Sequence, residues 1–252
     1  MLLRPQRGII YGPVQSRRLG ASLGINVLPA GRKVCSFDCV YCQYGWTDAD
    51  LLDAPARGEL PAVKTVLEAL EMALRSLATP PAFLTFSGNG EATLHPRFGA
   101  LVDGVTRLRD ALVPSARTAI LSNSSRVTEP GVRAALARLD EPIMKLDAGT
   151  DSALRRYNRP LVPLTVHSVV AGLRELPRVT IQSLFCGGPD GNLDSENIAA
   201  WLDAVESIRP VAVQIYSLDR GFPSNEIVAA RPEELAAIHA AVTERGLAAT
   251  VY

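Results

Sequence analysis

Short aliphatic and β-branched runs recur at residues 24–28, 83–87, 118–122, 142–147, 179–185 and 211–217. Between them lie longer stretches in which apolar positions return every three to four residues. The first pattern predicts strands and the second amphipathic helices, here at 62–77, 96–112, 130–139, 166–175, 195–208 and 232–245. Several predicted helix ends carry matching signals: Thr128 with Pro130, Asp194 before Glu196 and Arg231-Pro232-Glu233 as starts, and Gly246 as a stop. Strands that alternate with helices imply βαβ units, and the nearly unbroken apolar strands suit a parallel sheet covered on both faces. Six repeats are too few to close an eight-stranded barrel. The expected fold is therefore α/β, a partial (β/α)6 barrel of the TIM type with a parallel sheet. No repeat, low-complexity tract or Gly/Ser linker divides the sequence. A single domain is expected over residues 1–252, with 1–23 as an N-terminal extension packed on the barrel.

Composition narrows the function classes. Lys plus Arg and Asp plus Glu are equal at 26, so no global field selects nucleic acid or an anionic membrane, although a local basic patch stays open. No apolar run reaches the roughly 20 residues that span a bilayer, and the start of the chain has no signal-peptide pattern. A cytoplasmic location is expected. Four cysteines in 252 residues are too few for a disulfide scaffold, and closely spaced ones in a reducing compartment point to metal ligands or catalytic thiols.

Three of the four lie in Cys35-Ser-Phe-Asp-Cys39-Val-Tyr-Cys42, directly after the first predicted strand. Loops that follow strands form the reactive rim of a parallel barrel, so position and spacing agree. Thiolates suit iron–sulfur clusters, which usually take four; three leave one iron open to a small chelating molecule. Zinc is the alternative, but a structural zinc site wants four closed ligands, and no nearby Cys or His supplies the fourth. After the second predicted strand comes Ser87-Gly88-Asn89-Gly90-Glu91. Its glycines would let the backbone approach a ligand, and Glu91 can accept a charge-assisted hydrogen bond from an ammonium; taken alone, such a turn is more often a tight βα connection than a binding loop.

Other candidates sit at strand ends. Ser122 and Asn123 suit ribose hydroxyls or a capped turn. Lys145, one of three lysines beside 23 arginines, lies in an apolar strand next to Asp147. It reads as a ligand-facing cation, as a Schiff-base amine if its pKa is lowered, or as half of an ion pair. Gln182, Gln214, Tyr216 and Asp219-Arg220 are placed to line the same cavity, subject to the alternation of side chains along a strand. Cys186, before Gly187-Gly188-Pro189, is either a hydrogen donor or covalent catalyst, or a small buried apolar residue. The run Arg155-Arg156-Tyr157-Asn158-Arg159-Pro160, with Arg17 and Arg18, reads as a phosphate-binding rim or as a solvated helix end.

The cysteine motif with Tyr41 before its last member, followed by the 88–91 turn, resembles the signature of the radical S-adenosylmethionine (SAM) superfamily. The likeness extends over nearly the whole chain through Gly12-Pro-Val-Gln-Ser-Arg-Arg-Leu-Gly20, Ser22-Leu-Gly-Ile-Asn26, Lys145-Leu-Asp-Ala148 and Gln214-Ile-Tyr-Ser-Leu-Asp-Arg220. These segments look like the group that includes the wyosine-base (4-demethylwyosine) synthases of tRNA. The resemblance implies a 4Fe-4S cluster on Cys35, Cys39 and Cys42. It implies SAM near Tyr41 and Gly88, Asn89, Gly90 and Glu91; their places at strand ends add Ser122, Asn123, Lys145, Gln182 and Tyr216 as further cofactor-side residues and Lys145 and Cys186 as catalytic candidates. A flavodoxin or ferredoxin type donor would supply the electron that cleaves SAM to methionine and a 5'-deoxyadenosyl radical, which takes a hydrogen atom from a substrate. Resemblance favours a nucleoside or tRNA base as that substrate. Zero net charge and compact length favour a small molecule or peptide, and a non-enzymatic iron–sulfur or zinc module is the third reading. Wyosine chemistry uses a second cluster; here no cysteine precedes Cys35 and only Cys186 remains, so a second thiolate-bound cluster has no ligand set.

Overall fold

A computed structural model describes residues 1–53 and 58–252. The strands are β1 (Ile10–Ser16), β2 (Gly20–Ile25), β3 (Phe83–Phe86), β4 (Arg117–Ser122), β5 (Glu141–Lys145), β6 (Thr180–Leu184), β7 (Cys186–Gly187), β8 (Ala212–Tyr216), β9 (Val228–Ala229) and β10 (Ala249–Val251). The helices are α1 (Val63–Ser76), α2 (Phe98–Leu112), α3 (Pro130–Leu136), α4 (Asp151–Ala153), α5 (Val166–Arg174), α6 (Ser195–Ile208) and α7 (Pro232–Glu244). Eight strands form one sheet in the order β1-β2-β3-β4-β5-β6-β8-β10, and the short β7 and β9 pair separately. From β2 onward every neighbouring pair is parallel, so all strand ends that carry loops to the helices open on one rim. The partial parallel barrel expected from the hydrophobic pattern is present, with two strands more than the six repeats.

Those two flank the sheet. Residues 1–23 hold all of β1 and the start of β2, which form an antiparallel hairpin at one edge. The sequence concealed β1 because Ile-Tyr-Gly-Pro-Val-Gln-Ser lacks a clean apolar alternation and carries Pro13. An edge strand tolerates that proline because one side of it has no ladder partner. At the opposite edge β10 pairs with β8.

Side-chain alternation sorts the strands into two environments. Leu23, Leu84, Ile120, Met144, Ile181 and Val213 join the helices in the main core. Their neighbours on the other face line the barrel interior. There Leu19, Ala119 and Ile143 pack with Phe83 and Leu121 as an apolar floor. Toward the loop-bearing rim the interior turns polar: Ser22 and Thr85 share a 2.7 Å hydrogen bond, and Gln182 Nε2 donates to Gln214 Oε1 at 2.8 Å. Among the described residues no helix is long and apolar enough to cross a membrane.

Candidate active site on the cysteine loop

The cysteine loop is clamped on both flanks. On one, Val34 and Gly90 form a parallel bridge, Val34 N donates to Asn89 O at 2.8 Å, and Glu91 N donates to Val34 O at 3.0 Å. A Cβ on Gly90 would stand 1.8 Å from the Val34 carbonyl, and Gly90 has φ +132°. The close approach that this glycine permits is to the cysteine loop. On the other flank Val40 N donates to Tyr157 O at 3.1 Å, Asp38 N to Arg159 O at 3.0 Å, and Phe37 bridges Pro160. The partner there is a π turn, Leu154–Asn158, of the kind that often marks functional sites.

Between these clamps two side-chain amides point at sulfur. Asn123 Nδ2 lies 3.5 Å from Cys35 Sγ, and Asn158 Nδ2 lies 3.6 Å from Cys39 Sγ. Lys33 is buried beside the loop and donates to Gly45 O at 2.7 Å. Burial pulls the Lys33 ammonium down, yet its neighbours Cys42, Cys35 and Cys39 outweigh that and hold it above its ordinary value. Burial also pushes the Cys39 thiol up to about 11, with Cys42 adding to the effect, and raises Cys35. A bare thiolate is therefore costly here, and bound iron would supply the missing positive charge. Three soft ligands on one loop, amide donors on two of them and a buried ammonium nearby fit a 4Fe-4S cluster. Among the described residues no three His, Cys, Asp or Glu side chains gather as ligands of one metal ion do.

The glycine-rich turn is spent on its surroundings more than the sequence implied. Asn89 is buried; its Nδ2 donates to Gln6 O and Pro29 O, each at 2.8 Å, and its Oδ1 accepts from Gln6 N at 2.6 Å. A Cβ on Gly88 would crowd Asn26 at 2.9 Å. Glu91, also buried, accepts on Oε1 from Thr93 N, Thr93 Oγ1 and Ser122 Oγ, and on Oε2 from Asn123 N at 2.6 Å. Burial raises its carboxyl above the usual range despite those donors. Ser122 and Asn123 accordingly take the capped-turn role: Asn123 Oδ1 accepts from Ser125 N at 2.9 Å while its amide reaches Cys35. Glu91 fixes Asn123, and Asn123 orients the first cysteine.

Lys145, Tyr216, Gln182 and Tyr41 do come together. Lys145 Nζ donates to Tyr216 Oη at 2.9 Å, lies 3.2 Å from Asp147 Oδ1 and sits 4.9 Å from the centre of the Tyr41 ring. Burial opposes its charge, but Asp147 more than compensates and holds the ammonium well above its ordinary value. The ion-pair reading therefore holds for the free protein, and the lowered pKa that a Schiff-base amine requires is not found. Tyr216 Oη donates to Gln182 Oε1 at 3.3 Å, and Tyr41 Oη donates to Asp147 Oδ2, which also accepts from Asn158 Nδ2 at 2.8 Å. A narrow cavity beside this group is lined by Phe37, Asn123, Lys145, Asp147 and Asn158.

Cys186 packs against the cysteine loop through Val40. It is fully buried, and Tyr157 Oη donates to its Sγ at 3.1 Å. It packs with Val40, Tyr157, Leu184 and Ile227, as a small apolar residue does. The basic run is largely neutralised: Arg156 pairs with Asp194 at 2.7 Å, Arg159 with Asp190 at 2.6 Å, and Arg17 with Asp219 at 2.7 Å. A larger cleft of about 400 Å³ beside the 187–194 loop is lined, of the predicted site residues, by Arg156 of the basic run. Sequence reasoning missed Lys33, Asn158 and the anchoring role of Asp147. The available signals were a rare lysine two residues before the first cysteine and an asparagine inside the basic run.

Residues 33–202 match the sequence profile of the Radical SAM superfamily. A UPF0026 protein of Helicobacter pylori is 30% identical over 218 residues, covering 84% of this chain and 67% of that protein. Among solved structures, a radical SAM methyltransferase from Sphaerobacter thermophilus superposes with a TM-score of 0.62 at 14% identity, over 92% of this chain and 65% of the other. A TYW1 structure with a lysine–pyruvate adduct bound gives 0.57 at 14%, over 88% and 73%. At those identities the two structures speak for the fold alone.

Proposed function

Because the chain belongs to the radical SAM superfamily, whose members use a 4Fe-4S cluster and SAM, we propose that it is an enzyme that cleaves SAM reductively and takes a hydrogen atom from a small polar molecule held inside the barrel. The observation that carries this reading is the placement of Cys35, Cys39 and Cys42 on one clamped loop at the rim above a polar barrel interior. When bound, the cluster and SAM supply a 5'-deoxyadenosyl radical, the reactive species that the protein itself cannot make.

The chain's own residues do the positioning. Asn123 and Asn158 aim amide protons at Cys35 and Cys39, which lowers the cost of electron density on sulfur and orients both ligands. The buried Lys33 ammonium adds positive charge beside the same sulfurs. Asp147 binds Lys145, Tyr41 and Asn158 at once, so the cysteine loop and the interior cation share one carboxylate. Three arginines of the supposed phosphate rim are consumed by carboxylates, which favours a small substrate over tRNA. Reduction would come from a flavodoxin or ferredoxin type donor.

Anaerobic reconstitution with iron and sulfide, followed by an assay of 5'-deoxyadenosine formation with SAM and dithionite, tests the proposal. Wild type should form it and the Cys42→Ala variant should not. A reconstituted wild type that binds iron yet never cleaves SAM would leave only the binding-module reading.

A further inference from the structure

Among the described residues, one cation at the barrel is paired with no anion. Arg18, in the turn between β1 and β2, reaches across the open side of the sheet to the opposite edge. Its guanidinium carbon lies 4.7 Å from the centre of the Tyr216 ring and 5.6 Å from that of Tyr252. Its Nη1 is buried and has no hydrogen-bond partner, and among the described residues no carboxylate pairs with it. The adjacent Arg17 differs: it is exposed and holds Asp219 at 2.7 Å. An arginine does not shed its proton in a protein, so a buried guanidinium nitrogen without an acceptor is costly until an oxyanion meets it.

The surroundings add to the case. Tyr216 connects Arg18, over its ring, to Lys145, at its hydroxyl, where Nζ and Oη are 2.9 Å apart. Asp147 neutralises Lys145 at 3.2 Å, whereas among the described residues no carboxylate pairs with Arg18, which leaves one positive charge beside Tyr216. We propose that Arg18 anchors an oxyanion of the substrate, a carboxylate or a phosphate, inside the barrel beside Tyr216. The inference rests on the reading of the barrel interior as the substrate chamber, and it makes that substrate an anion at neutral pH. A guanidinium suits the task because its planar fork can hold two oxygens at once.

The test uses the reconstituted protein without SAM or reductant and follows its thermal unfolding midpoint at constant ionic strength. Acetate and inorganic phosphate are the probes, with chloride as the reference salt. Acetate or phosphate should raise the midpoint saturably where chloride does not. A response to acetate alone assigns a carboxylate, a response to phosphate alone a phosphorylated substrate, and a response to both an oxyanion site that takes either. Arg18→Met should weaken the response at least about tenfold, whereas Arg17→Met should leave it intact. Should Arg18→Met fail to fold, Arg18→Lys decides: it keeps the charge and loses the fork, so binding should weaken at least about threefold. No saturable response in wild type, or equal responses in wild type and the Arg18 variants, overturns the proposal. Because neither SAM nor reductant is present, failure of anion binding is separable from failure of SAM cleavage.

Discussion

At the scale of single residues, burial decides which polar groups can react. Cys186 is sealed behind Tyr157, and burial pushes its thiol up to about 12. Between an ordinary thiol pKa near 9 and that value the unfolded chain gives up this proton while the folded chain keeps it. The unfolded state then binds fewer protons, so stability falls as pH rises. The contribution is complete below about pH 9 and is lost on approach to 12. Urea midpoints measured from pH 8 to 10.5 should decline more steeply for wild type than for Cys186→Ala. A parallel slope would mean that the thiol ionises as readily in the fold as out of it. In cluster-loaded protein at pH 8.5, iodoacetamide should alkylate Cys186 at least about 100-fold more slowly than after unfolding, as peptide mass mapping would show. Asn158 illustrates the opposite case, a buried amide whose protons reach Cys39, Tyr41 and Asp147 together. Asn158→Asp would set a second carboxylate against Asp147 and Cys39. We expect a loss of at least about 2 kcal/mol at pH 7 that shrinks as pH falls toward 5, because acid protonates the new group; a loss independent of pH would point to packing instead.

At the scale of elements, the glycines separate backbone need from propensity. Gly90→Ala drives a methyl into the Val34 carbonyl and forces a positive φ on a residue with a side chain. It should cost at least about 3 kcal/mol and release the cysteine loop, read as a lower urea midpoint and poor retention of reconstituted iron. Gly131, in α3, has open space where its Cβ would stand, so Gly131→Ala should stabilise by about 0.5–1 kcal/mol and leave iron retention unchanged. The contrast also marks what the sequence could disclose. The Cys35-to-Cys42 loop and the 88–91 turn were legible because their chemistry needs neighbouring residues at fixed spacing, and six strands and six helices were legible from period alone. The consumption of Glu91 by Thr93, Ser122 and Asn123, the reach of Asn158 to Cys39 and the stacking of Arg18 on Tyr216 were not. The last two join residues more than a hundred positions apart, and no local pattern records such pairing. The inward Gln182 and Gln214 were visible as interruptions in apolar strands, but only the register between β6 and β8 makes them partners.

At the scale of the whole molecule, parallel topology gathers sites that the chain keeps far apart. The loops after β2, β3, β4 and β5 all open on one rim, and the cysteine loop is tied to three of its neighbours there: the 88–91 turn, the end of β4 through Asn123, and the π turn through Val40 and Asp38. A cluster that fixes three thiols of that loop should therefore act on all of these segments at once. Ligands that bind only the folded state stabilise it by linkage, and for a domain of this size each 1 kcal/mol moves the unfolding midpoint by roughly 2–4 °C. Reconstituted protein should melt at least about 5 °C above the iron-free form. Hydrogen exchange should slow in residues 33–45, 88–91, 122–125 and 154–160, while α7 and β10, which make no contact with the loop through these ties, keep their rates. The Cys42→Ala variant should show neither change. Slowing spread evenly over all helices would mean that the cluster stabilises the fold only through the global unfolding equilibrium; slowing confined to the rim would mean that the loop and its clamps open as one unit, the order in which the site must assemble before SAM can be held beside it.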